Sequence, residues 1–89
     1  MKKENGILSD VSAEDVELLK THPKEFWKDV TTIGDKAFLS CSDLLEVEIP
    51  ESVTSLGMSA FKGSGLKKVK INGGISTISY QAFADCLEL

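Results

Sequence analysis

The segment "VTTIGDKAFL" at residues 30–39 returns as "VTSLGMSAFK" at 53–62 and as "ISTISYQAFA" at 75–84. The first two copies lie 23 residues apart and the second and third 22. Val30, Val53 and Ile75 align, as do Ile33, Leu56 and Ile78, the three alanines Ala37, Ala60 and Ala82, and the three phenylalanines Phe38, Phe61 and Phe83. The match runs on through Cys41, Ser64 and Cys86, then Leu44, Leu66 and Leu89, and in two copies through Val47 with Val69 and Ile49 with Ile71. Apolar positions locked to a period of this length are the signature of a solenoid, in which each unit buries its face only against its neighbours. The expected units are 30–52, 53–74 and a partial 75–89.

Within a unit, "LLEVEIP" at 44–50 and "LKKVKIN" at 66–72 alternate apolar and polar residues, the period of a half-buried strand. Val47, Ile49, Val69 and Ile71 are expected to point inward, and stacked units to set these strands side by side in a short parallel sheet. The Ala-Phe pair fills the return path, and Gly34 and Gly57 are expected to permit a tight bend before it. Ser79 stands at that position in the third copy, so the bend there cannot need a positive φ.

These residues carry a resemblance. "VTTIGDKAFLSCSDLLEVEIPESVTSLGMSAFKGSGLKKVKI" resembles the BspA-type leucine-rich repeat, whose units read roughly Ile-Gly-x-x-Ala-Phe-x-x-Cys-x-x-Leu-x-x-Val-x-Ile-Pro. The departures are Ser64-Gly65 at the cysteine segment of the second copy, Asn72 in place of Pro50, and Ser79 in place of glycine. The resemblance implies an α+β leucine-rich-repeat solenoid. It also implies adhesive or protein-binding surfaces, of the kind such proteins present on bacterial cells or on protists that live with hosts.

Residues 1–29 do not repeat, as expected of a segment that caps the exposed edge of the first unit. Its signals are helical. Ser12 followed by Asp15 reads as an N-terminal cap, with Val11 and Val16 at the two positions of a hydrophobic staple. His22-Pro23 ends that helix, and "PKEFWKDV" restarts a turn with proline in its first position. Phe26 and Trp27 are expected to seal the core beneath the first repeat; the alternative is an exposed aromatic anchor for a partner.

A length of 89 residues allows one small domain with a modest core. The formal charge of −4 argues against a nucleic-acid partner, which calls for a basic face. No apolar run approaches the roughly 18 residues of a membrane-spanning helix, so membrane insertion is not expected. "MKKENGILSDV" does not read as a signal peptide, which points to the cytoplasm, while the resemblance points to the cell surface.

Cys41 and Cys86 fall at equivalent positions two units apart, about 10 Å at a strand spacing of roughly 4.8 Å. A disulfide needs Cα atoms within about 7 Å, so both are expected to be reduced, inward-facing packing residues with Ser64 between them. With two cysteines and one histidine, His22, at no ligand-like spacing, neither a metal site nor another cofactor is expected. Asn72-Gly73-Gly74 lacks the lysine and hydroxyl of a phosphate-binding loop, and no nucleophile has a histidine base in a recognisable motif. The chain is therefore expected not to be an enzyme.

What remains is the outward side of the strands, where Glu46 and Glu48 are expected beside Lys68 and Lys70. These four are the candidate partner-binding residues. Their other reading is a solvated face whose ion pairs align the units. The abrupt end in "CLEL" suggests either a homodimer through residues 66–89 or a piece of a longer protein. A protein partner remains of unknown identity.

Overall fold

The computed structural model describes residues 1–79 and 81–86, measuring 30 × 27 × 21 Å. The amino-terminal strands β1 (Lys2–Glu4) and β2 (Ile7–Ser9) form an antiparallel hairpin. Two helices follow, α1 (Ala13–Thr21) and α2 (Pro23–Trp27). Each copy then begins with a two-residue strand: β3 (Thr32–Ile33), β5 (Ser55–Leu56) and β7 (Thr77–Ile78). Between these lie the longer strands β4 (Glu46–Ile49) and β6 (Lys68–Ile71). The short strands join the hairpin in a five-stranded sheet of order β1-β2-β3-β5-β7, while β4 and β6 pair parallel as a separate ribbon.

The amino-terminal segment is thus more than helical. The capping box is formed: the Asp15 N–H donates to Ser12 Oγ (3.3 Å) and the Ser12 N–H to Asp15 Oδ2 (2.9 Å), with Val11 and Val16 both buried. His22 ends α1, its N–H donating to Leu18 O, and Pro23 opens α2. The hairpin escapes the periodicity argument because Ile7–Ser9 is too short to show alternation and shares no motif with the copies. Yet β2 pairs parallel with β3, Ile7 beside Thr32 and Leu8 beside Ile33. It does so in the pattern by which each copy pairs with the next.

That pattern is a two-way backbone ladder. On the strand side, N–H groups donate backward: Thr31 to Gly6 O, Thr54 to Thr31 O and Ser76 to Thr54 O, each at 2.8 Å. The same holds for Gly34 to Leu8 O (2.8 Å), Gly57 to Ile33 O (2.7 Å) and Ser79 to Leu56 O (3.0 Å). On the Ala-Phe side they donate forward, Val11 to Ala37 O (3.0 Å), Phe38 to Ala60 O (2.7 Å) and Phe61 to Ala82 O (2.7 Å). Buried peptide groups need partners, and these rows satisfy them between copies rather than within one. Gly6 holds φ +81°, and a Cβ there would collide with Thr31 Oγ1, so both its backbone and its neighbour require glycine.

Gly34 and Gly57 serve a purpose other than the expected bend. Neither has a positive φ; a Cβ on Gly57 would lie 2.5 Å from Asp35 N, so the residue is small because successive copies approach closely there. The left-handed positions are instead Lys36, Ser59 and Gln81, each just before the repeated alanine, and again Ser40, Gly63 and Asp85. Two such residues per copy turn the chain between its strands.

The phenylalanines form a continuous stack. Phe38 and Phe61 lie 4.7 Å apart at 8°, Phe61 and Phe83 5.3 Å apart at 1°, and Phe26 of α2 adds to the front at 6.0 Å from Phe38. Trp27 meets Phe26 edge-on at 5.0 Å. Phe26 and Trp27 are buried, so they seal the core and are not an exposed anchor.

Burial declines along the copies. Val47 and Ile49 face inward as expected, whereas Val69 is half-buried and Ile71 is 42% exposed. Inward pointing is not enough to bury a side chain without a neighbour on each side, and among the described residues none lies beyond β6. The counterpart of Leu44 and Leu66, Leu89, lies outside the described residues.

Candidate functional site

The ribbon pairs in the expected register, Glu46 with Lys68, Val47 with Val69, Glu48 with Lys70 and Ile49 with Ile71. All four charged side chains are exposed on one side of it. Lys70 Nζ lies 3.9 Å from Glu48 Oε1; Glu46 and Lys68 are neighbours in register without an ion pair. Such a contact at the surface is worth about 0.2–1 kcal/mol.

The ribbon is not an isolated face. An open groove of about 920 Å³ lies between it and the corner where α1 meets α2, with Leu19, Lys20, Pro23 and Trp27 on the helical side. Leu45, 46% exposed, and residues 46–48 and 68–70 form the opposite side. The groove falls in the roughly 300–1,000 Å³ range of binding clefts. Residue alternation identified the four charges, but the helical wall was not legible, because nothing local in "LLKTHPKEFW" states which strand it will oppose.

The backbone of β4 adds a second feature. Leu45 C=O accepts from the Lys67 N–H (2.7 Å) and Ile49 C=O from the Asn72 N–H (3.0 Å). The odd-numbered residues of β4 therefore turn their peptide groups toward β6, and Glu46 and Glu48 turn theirs away. Phe26 precedes Phe38, Phe61 and Phe83 in the aromatic stack, so the helices lie on the same side to which these groups point. The peptide groups of Glu46 and Glu48 thus have no partner in β6, the strand paired with β4 among the described residues, and no bond from outside the strands reaches their N–H or C=O there.

The thiols are free and half-buried. Cys86 Sγ donates to Phe61 O (3.1 Å) beside Ser64 Oγ (3.4 Å), and Cys41 Sγ donates to Val11 O (3.6 Å). Burial, with the carboxylates of Asp15 and Asp43 nearby, pushes the Cys41 thiol above its ordinary value, which disfavours the reactive thiolate. His22 is exposed, its Nδ1 2.9 Å from Thr21 Oγ1. Among the described residues no group of three His, Cys, Asp or Glu side chains converges, and no helix is long and apolar enough to cross a membrane.

Comparison with curated proteins and with solved structures gives no match. A family model described as "BspA type Leucine rich repeat region (6 copies)" matches residues 18–89, taking in the second half of α1 and every copy of the repeat. The chain belongs to the BspA-type leucine-rich-repeat family.

Proposed function

We propose that the copies are coils of a leucine-rich-repeat solenoid whose first coil is capped by the amino-terminal segment, and that the chain is a non-enzymatic protein-interaction or adhesion module. The observation that carries this reading is the groove beside the ribbon, where Glu46, Glu48, Lys68 and Lys70 stand exposed next to apolar Leu45 and the helix corner. Stacked strands support binding because outward side chains can change without disturbing the ladder that holds the stack. In this reading the partner is a protein met at the cell surface, as the family resemblance implies. No cofactor takes part. The test is charge reversal at all four positions, followed by capture of surface proteins and by urea unfolding. Loss of partners with unfolding unchanged supports the reading; partners retained by the reversed protein contradict it.

A second reading is favoured by Ile71 and Ile78, 42% and 57% exposed on the outer side of the last described strands. Such apolar edges are templates for strand pairing. A homodimer through residues 66–89 would cover them, although residues 80 and 87–89 lie outside the described part. Light scattering over a range of concentrations tests it, with a concentration-dependent dimer expected and a constant monomer contradicting it.

A further inference from the structure

The open edge of β4 has a donor and acceptor pattern, a charge pattern and an apolar wall, and together they specify an occupant. We propose that this edge binds an extended peptide segment by strand addition, and that the segment carries lysine or arginine at alternate positions with apolar residues between them. The proposal rests on the interaction-module reading and deepens it by naming the partner's chemistry.

Three observations converge. First, the peptide groups of Glu46 and Glu48 point away from β6, toward the helical side of the groove, and have no partner in a paired strand or turn among the described residues, the condition under which an added strand gains main-chain hydrogen bonds. Second, β4 already has one neighbour strand, and that neighbour shows what its side chains accept. Lys68-Val69-Lys70-Ile71 lies beside Glu46-Val47-Glu48-Ile49, lysine next to glutamate and aliphatic next to aliphatic. A strand's side chains serve both of its edges, so the outer edge presents the same acidic row. Glu46 has no ion pair among the described residues, and the Glu48 contact with Lys70 is long at 3.9 Å, so both carboxylates can meet a second cation. Third, exposed Pro23, over the almost buried Leu19 and Trp27, provides an apolar wall opposite the edge, against which the incoming strand's alternate residues can pack.

The hairpin heightens the contrast. At this same end of the molecule, the neighbouring sheet has its β3 edge covered by β2, while among the described residues β4 has no strand in the corresponding place. The chain supplies a helix corner there instead, set back far enough to leave a groove.

The probe is an acetylated, amidated peptide with the sequence of residues 66–72, added to the intact protein. Trp27, the single tryptophan, lines the groove and reports occupancy by its fluorescence, while amide NMR shifts locate the contact. Expected are saturable changes at Trp27 and at the Glu46 and Glu48 amides. Binding should weaken at least tenfold when glutamate replaces each peptide lysine, and at least tenfold when alternate peptide amides are N-methylated. Absence of binding at millimolar peptide, shifts confined to Val69 and Ile71 on the opposite edge, or indifference to N-methylation would each overturn the proposal. None of these results bears on the charge-reversal capture experiment, so strand addition can fail while the interaction-module reading stands.

Discussion

The two parallel ladders of this molecule end differently at the amino-terminal side. The β3 edge is covered by a hairpin that presents Gly6 O and Leu8 O where an earlier copy would present them. Among the described residues, the β4 edge is flanked by helices that supply bulk and no backbone partners. The difference shows that closing a sheet edge takes matched donors and acceptors, whereas closing an apolar stack takes only a large side chain such as Phe26. A second contrast runs along one rung: Leu8, Ile33 and Leu56 are buried, and Ile78 at the far end is 57% exposed. The same position changes character with the number of neighbours it has.

The largest effect is expected in the shared stack. Phe61 is enclosed between Phe38 and Phe83, so Phe61→Ala should cost about 3–5 kcal/mol in urea unfolding, much of the margin of a small domain. The rung gives a sharper comparison. Leu8→Ala should cost about 2–5 kcal/mol because the hairpin is an integral neighbour, while Ile78→Ala should stay near the ~0.5 kcal/mol of ordinary surface changes. Equal costs would break the comparison.

Glycine at the close approach comes next. Gly57→Ala should cost about 1–3 kcal/mol by forcing Asp35 and Gly34 away. The reverse experiment is already written into the third copy, where Ser79 donates to Leu56 O at 3.0 Å against 2.7 Å for Gly57 to Ile33 O.

The α1 cap is expected to act through charge as well as geometry. Burial pushes the Asp15 carboxyl up, but the Met1 ammonium and the backbone and hydroxyl of Ser12 outweigh it and hold the group below its ordinary value. A depressed carboxylate stabilises the fold above the unfolded pKa, about 3.9, and that contribution is lost as pH falls through the lower folded value. Asp15→Asn should therefore destabilise the protein at neutral pH and flatten the decline of unfolding free energy on acidification; an unchanged acid profile would contradict the assignment. The smallest effect belongs to the ribbon surface, where Lys70→Glu should cost about 0.2–1 kcal/mol and less at high salt.

Much of this was legible in the sequence because repetition made weak signals add. One "LLEVEIP" is an ambiguous apolar run, but two in register predicted both the β4–β6 pairing and the cross-strand neighbours of Glu46 and Glu48, of which only Lys70 comes within ion-pair distance, of Glu48. Ser12, Asp15 and Pro23 were readable because capping and helix initiation are local. The short strands β3, β5 and β7 were not, since two residues carry no period and their pairing is decided by neighbouring copies. The hairpin and the groove were hidden for the same reason. Gly34 and Gly57 were singled out correctly as special but for the wrong cause, because one sequence letter does not distinguish a bent backbone from a crowded one.

The central claim is that the hairpin continues the ladder of the repeats, and residue-resolved hydrogen exchange on the intact chain tests it most directly. The amides of Thr31, Thr32 and Gly34, which donate to Gly6 O and Leu8 O, should be protected to the same degree as those of Thr54 and Gly57 inside the repeats. Exchange as fast as at the outward-facing Val69 and Ile71 amides would contradict it, leaving the β3 edge open and the hairpin a loosely attached appendage.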